Sequence, residues 1–227
     1  VDQTQDNNKL LAKIDWNINQ DNKLTFRYNH VDATDEEGLG RGAFSYSFSN
    51  RQYNFNSSQN SFVAELNSSF GNNMDNTFRA VYTSIRDSRD VVAQPFPQVS
   101  VSLPFPEKSG FGSIDMGIDR FSQANALDQD LIEITDNFTY IQGDHEFTFG
   151  TSNQIYQFRN LFVQDDFGTY EFRCGNGRSA AENFEAGNPY SYNYSYLLPG
   201  GNRAAEFGAI QLGAYVQDKW TVQNNLK

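Results

Sequence analysis

Alternation with a period of two residues, interrupted by reversals that are short and long in turn, most narrows what this chain can fold into. In residues 9–18 (KLLAKIDWNI), Leu10, Ala12, Ile14, Trp16 and Ile18 share one side of an extended chain, and Lys13, Asp15 and Asn17 share the other. This is the pattern of a strand with one apolar face; an amphipathic helix would repeat every three to four positions. Leu24, Phe26 and Tyr28 repeat it in KLTFRYNH, as do Phe62, Ala64, Leu66 and Phe70 in NSFVAELNSSF and Phe78, Ala80 and Tyr82 in NTFRAVYTSI. Ile132, Ile134, Phe138 and Tyr140 continue the series, HEFTFGTSNQIYQF follows, and Ile210, Leu212, Ala214, Val216, Trp220 and Val222 mark a seventh strand.

Reversals at Asn19, Gly71, Gly143 and Asn224 are short and rich in Asn, Asp and Gly, as tight hairpins require. The last of them, Gln223-Asn224-Asn225, leads into Leu226 and Lys227, which read as the first step of a returning strand. The other connections, residues 33–57, 87–129 and 161–207, are long. Loops beyond about 12–15 residues are uncommon in compact domains, and strict alternation sends all of these to one end of the sheet. Tight turns at one rim, long loops at the other and aromatic girdles at the water interfaces are the plan of an outer-membrane barrel. Trp16, Phe70, Tyr140 and Trp220 each lie beside a short turn and are expected to form the girdle at that rim.

The expected fold is therefore all-β, an antiparallel up-and-down transmembrane β-barrel, represented by an open arc of about seven strands. Its apolar side chains face lipid and its polar side chains face a wet or plugged lumen. Two sheets packed across a dry core would also alternate, but with shorter strands and no one-sided loop bias. An open arc has two bare edges, and in hydrocarbon each unpaired backbone group costs several kcal/mol. Residues 1–227 are thus expected to be part of a single larger barrel domain. Asp136 and Asn153 fall on the apolar side of their strands. Either a β-bulge near Ser152 to Gln154 swaps the faces, or these positions are exceptions.

A net charge of −11 argues against a nucleic-acid partner, which needs a basic footprint. The lone cysteine, Cys174, excludes an internal disulfide and any multi-cysteine metal site and reads as an incidental thiol. No run approaches the roughly 18 apolar residues of a membrane helix, and residues 1–9 hold no signal-peptide core.

Residues 13–29 (KIDWNINQDNKLTFRYN), residues 112–162, and residues 205–227 with the phrase QLGAYVQDKW resemble the barrel region of TonB-dependent outer-membrane receptors. The resemblance is to the Oar-like branch, whose members carry an N-terminal carboxypeptidase-regulatory-like domain, and Lys219 stands where an acidic residue is more usual. It implies a barrel of about 22 strands with a plugged lumen in the outer membrane of a Gram-negative bacterium. Outer loops would capture a small-molecule, oligosaccharide or peptide substrate, and the TonB complex would act through an N-terminal region outside this sequence. No cofactor is implied.

Candidate chemistry is sparse. Asp32, Asp35, Glu36 and Glu37 concentrate carboxylates in one expected loop, residues 32–38, that offers oxygen ligands to Ca²⁺ but lacks the spacing of a calcium loop, so a solvated acidic loop is the simpler reading. Tyr190, Tyr192, Tyr194 and Tyr196 alternate strictly; they suit either stacking on a flat ligand or an extended strand of a loop. His30 and His145 lack a second ligand in any metal pattern, and no nucleophile motif such as G-x-S-x-G occurs. An enzyme is not expected. A secreted or surface β-rich carbohydrate-binding module is the alternative class, and an all-β hydrolase a distant third.

Overall fold

The structure, a computed structural model, describes residues 3–40, 42, 44–104 and 111–222. In chain order its strands are β1 (Gln5–Asn17), β2 (Asn22–Glu37), β3 (Ser45–Ser47), β4 (Tyr53–Ser69), β5 (Met74–Val91), β6 (Gln98–Pro104), β7 (Phe111–Met116), β8 (Asn125–Gln142), β9 (His145–Phe162), β10 (Thr169–Phe172), β11 (Ser191–Asn193) and β12 (Ala204–Trp220). One α-helix, α1 (Ala180–Glu185), precedes β11, and a single 3-10 turn (Ser49–Arg51) precedes β4.

The seven long strands form one antiparallel sheet in the order β1-β2-β4-β5-β8-β9-β12, so each pairs with its neighbour in the up-and-down path. Short reversals close one rim: Ile18 N–H donates to Asn22 O at 2.9 Å and Phe70 N–H to Met74 O at 2.8 Å, and Gly143 and Asp144 turn β8 into β9. The reversal expected at Asn224 lies outside the described residues. All long connections leave from the other rim. They are shorter than the sequence pattern implies, because the strands run on: β2 reaches Glu37, β5 reaches Val91 and β9 reaches Phe162. The polar ends of these strands carry no apolar alternation, yet their backbones still pair. At 18 residues each, β5, β8 and β9 exceed the roughly 9–11 needed to cross a bilayer, and so project past it at the long-loop end.

Register is continuous. Thr151 pairs with Asp136, Asn153 with Ile134 and Ile155 with Ile132 on one side of β9, while Thr151 pairs with Ala214 and Asn153 with Leu212 on the other. No bulge interrupts residues 152–154, so Asp136 and Asn153 do face the apolar side.

Leu212 is 74% exposed and Ile210 70%, and the apolar face of the large sheet meets no second layer among the described residues. Buried apolar packing is found elsewhere, around Val99, Val101, Phe172 and Ala180. The uncovered apolar surface runs diagonally. On β1 it extends from Leu10 to Trp16, but on β12 from Ile210 to Trp220. The row through Leu10 continues as His30, Asn60, Ser84, Asp130, Gln157 and Gly208, already polar or small. At the other rim, Trp220 and His145 pair beyond the level at which β1 ends. A belt at constant height takes this form on strands tilted to the belt's normal, as barrel strands are.

The three long connections build one structure together. Their short strands form a five-stranded mixed sheet, ordered β11-β10-β6-β7-β3, in which β10 runs parallel to β6 and β3 parallel to β7. One face packs Val99, Val101 and Phe172 against Ala180 of α1, with Leu103, Met116 and Tyr170 at the edge. Buried ties lock the connections to each other. Gln123 Nε2 donates to Ile118 O and to Gly168 O, both at 3.2 Å, and Gln123 Oε1 accepts from Phe167 N–H at 2.7 Å. Arg51 reaches Asp119 at 2.6 Å, and Arg120 reaches the buried Asp165, also at 2.6 Å. Gly117 permits the closest approach: at φ +78° it sits where a Cβ would come 1.9 Å from Pro97 O.

Candidate functional site

Two surfaces carry chemistry, the wall and the cap sheet above its rim. On the apolar face of the wall, Trp16, Phe70, Tyr140 and Trp220 all lie on the same side and at the short-turn rim, with Trp16 56% and Trp220 53% exposed. Their rings are amphipathic and suit the water–lipid boundary. His145 belongs with them: its ring stacks on Trp220 at 5.3 Å and Phe147 at 5.5 Å, and Nδ1 lies 2.8 Å from Asp218 Oδ2. The sequence reading treated it as an isolated wall residue, since its neighbours come from strands distant in sequence.

A second band at the opposite edge of the apolar surface was not expected from sequence. Tyr28 stacks on Phe62 at 4.7 Å and Phe62 on Tyr82 at 6.5 Å. Their polar tips point away from the apolar belt: Tyr28 Oη donates to Asn60 Oδ1 at 2.8 Å, and Tyr82 Oη to Asp130 Oδ1 at 2.7 Å. Above them Arg86 bonds Asp130 and Arg159 bonds Asp128, a charged belt at the level of the projecting strand ends. The signal was present in Tyr28 and Tyr82, each the last aromatic on its apolar side before polar residues begin.

The polar face is a lattice of cross-strand ties. Lys13 and Lys23 flank Asp15, Arg79 bonds Glu65 at 2.6 Å, Gln154 donates to Glu133 at 2.8 Å and Lys219 to Glu146 at 2.7 Å. Tyr215 lies flat over Gly150, where a Cβ would come 2.2 Å from its ring, and donates to Asn137 at 2.8 Å. This face is not uniformly polar, as the alternation implied. Towards the long-loop rim Tyr156, Phe158 and Phe207 stack in sequence at 5.8 Å and 5.0 Å, with Phe207 54% exposed.

At the edge of the cap sheet, β11 holds Tyr192, with Tyr190 just before it and Tyr194 and Tyr196 in the irregular chain after it. Tyr170 stacks on Tyr192 at 4.4 Å, and Tyr192, Tyr194 and Tyr196 follow at 6.4 Å intervals. Tyr190 turns aside to the Arg173 guanidinium, 4.4 Å from its ring. All four tyrosines are at least half exposed, Tyr196 the most at 72%. They therefore form an exposed row that runs from β11 into the irregular chain after it. Behind the row, Ser179 and Glu182 make a reciprocal capping box at the start of α1. The Ser179 backbone N–H, 2.7 Å from Glu182, and the Ser179 hydroxyl hold that carboxyl below the usual glutamate value. Cys174 is exposed on the adjoining loop.

The acidic stretch corrects the loop reading. Asp32, Asp35, Glu36 and Glu37 all belong to β2, so Asp32 and Glu36 lie on one face and Asp35 and Glu37 on the other. They do not converge, and no three potential metal-ligating side chains gather among the described residues. No helix among the described residues is long and apolar enough to cross a membrane.

Comparison with curated proteins gives no match. Among solved structures, the crystal structure of the outer membrane transporter YddB from Escherichia coli aligns with a TM-score of 0.58 at 8% identity, covering 96% of this chain and 26% of that one. At that identity the likeness concerns the fold, and this chain spans about a quarter of the transporter's length. The profile of the family described as outer membrane beta barrel domain matches residues 1–227. An uncovered apolar belt edged by aromatics, tilted up-and-down strands and this match over the whole chain lead to one conclusion: the chain belongs to the outer membrane beta barrel domain family and lies in the outer membrane.

Proposed function

We propose that this chain supplies wall strands and part of the surface cap of a TonB-dependent receptor of the Oar-like branch, which binds a substrate outside the cell for energised uptake. The observation that carries this reading is the fusion of three long connections into one sheet that presents an exposed tyrosine row at its edge. An inert wall needs only short connections; an ordered cap with uncovered rings at the cell surface suits capture of a ligand. Tyrosine offers an apolar face with a polar tip and little side-chain freedom to lose, which favours flat or ring-bearing ligands. The aromatic patch of Tyr156, Phe158 and Phe207 on the lumenal face lies at the same rim, on the path a captured ligand would follow inward. In this reading TonB acts through the plug of the complete receptor, and the chain does no catalysis.

The test uses the full-length protein in its own outer membrane. Collapse of the proton-motive force is expected to stop accumulation of substrate while surface binding persists. Replacement of Tyr190, Tyr192, Tyr194 and Tyr196 by Ser is expected to lower surface binding at least about tenfold, since stacking contacts contribute on the order of 0.5–1.5 kcal/mol each. Energy-independent uptake would refute the TonB-dependent reading, and unchanged binding by the fourfold variant would refute the role of the row.

A further inference from the structure

Between its two aromatic edges the apolar belt is interrupted on β8 and β9. Asp136 on β8 occupies an outward position between Ile134 and Phe138, its cross-strand partners are Phe78 on β5 and Thr151 on β9, and Asn153 lies one outward position further along β9. Asn76 on β5 donates through Nδ2 to Asp136 Oδ1 at 2.9 Å. Among the described residues Oδ2 of the same carboxyl accepts no hydrogen bond, and Thr151 is exposed beside it. Asn153 Nδ2 reaches only the Ile134 carbonyl, at 3.4 Å. Asn76, Asp136, Thr151 and Asn153 thus form a contiguous polar patch across three strands, framed by Phe78, Ile134 and Phe149.

Hydrocarbon offers such a patch no hydrogen bonds, and a polar or ionisable group facing it is costly unless a partner completes it. The register continues through this region, so the exposure is not relieved by a bulge. The patch also holds its own complement. An acceptor, Asp136, and a donor, Thr151, sit directly opposite one another on neighbouring strands, offset along the membrane normal only by the strand tilt. A two-fold axis along the membrane normal, passing between β8 and β9, would bring Asp136 of one copy to Thr151 of the other, twice over. That reciprocity is what an isologous contact requires.

We infer that this patch is a contact, within the membrane plane, between two copies of the barrel. Asp136 Oδ2 of each copy accepts from Thr151 Oγ1 of the other, and the surrounding Ile and Phe side chains keep lipid out. The inference rests on family membership and on the wall alone, so it stands or falls independently of the proposed uptake role.

The experiment cross-links full-length protein in intact outer membranes, after Cys174 and any cysteine outside residues 1–227 are replaced by Ser. Ile134→Cys places a thiol beside the two-fold axis and leaves every polar side chain of the patch in place; Ala64→Cys places one on the same face but on β4, away from it. Oxidation is expected to give a homodimer band with Ile134→Cys at least about ten times stronger than with Ala64→Cys. Adding Asp136→Leu to Ile134→Cys is expected to remove most of that band while leaving the heat-dependent gel shift of the folded barrel intact. Equal cross-linking at the two positions, no loss with Asp136→Leu, or a product whose mass identifies a different protein would each overturn the inference.

Discussion

Phe78, Arg79 and Ala80 on β5 provide an internal control for which face meets lipid. Arg79 points to the polar face, where its guanidinium lies 2.6 Å from Glu65, with side-chain exposures of 48% and 25%. Ala80, the next residue, is the central outward position between Phe78 and Tyr82, flanked by Ala64 and Ile134. Moving the charge by one residue turns it from lumen to hydrocarbon. Arg79→Ala removes a partly exposed ion pair, worth about 0.2–1 kcal/mol. Ala80→Arg places a guanidinium near mid-bilayer, which costs about 2–4 kcal/mol, or roughly 25- to 700-fold in the folding equilibrium. Met74→Arg, at the last outward position before the turn, should cost no more than about 1 kcal/mol because the side chain can reach the headgroups. Guanidinium unfolding of the full-length barrel in phosphatidylcholine vesicles, followed by tryptophan fluorescence, measures all three. If Ala80→Arg destabilises no more than Arg79→Ala, the assignment of faces is wrong and the uncovered surface meets something other than lipid.

The cap yields two further tests. Gly117→Ala would drive a Cβ into the Pro97 carbonyl at a positive φ, so surface protease on intact cells should cut the cap connections while the gel shift of the barrel is unchanged; a resistant cap would refute the close approach. Glu182 has its carboxyl held below the ordinary value by Ser179, so its contribution to α1 is complete above that value and fades as pH falls through the depressed one. Backbone hydrogen exchange in α1, corrected for intrinsic rates, should therefore speed up at acid pH in the wild type, and Glu182→Ala should abolish that dependence.

Much of the wall was legible in the amino-acid sequence. Pairs such as Ile14 with Phe26 and Ala64 with Ala80 fall in register because period-two alternation and tight turns leave a hairpin little choice of face or pairing. The same pattern located the rim aromatics Trp16, Phe70, Tyr140 and Trp220. It also placed Asp136 and Asn153 on the outward side, where continuous pairing keeps them.

What tertiary structure decided was everything whose partners are remote along the chain. β2 continues through Asp32, Asp35, Glu36 and Glu37 because β4 offers a paired backbone from Tyr53 onward, and a ladder of hydrogen bonds forms whatever the side chains alternate as. The cap sheet joins β10 to β6 and β3 to β7 in parallel, a pairing with no local turn to announce it. His145 joins Trp220, and Tyr82 joins Phe62, across strands. Alternation fixes which side of a strand is apolar, since that is a property of neighbouring residues; which side chains then meet depends on the sheet, and only its assembly sets those distances.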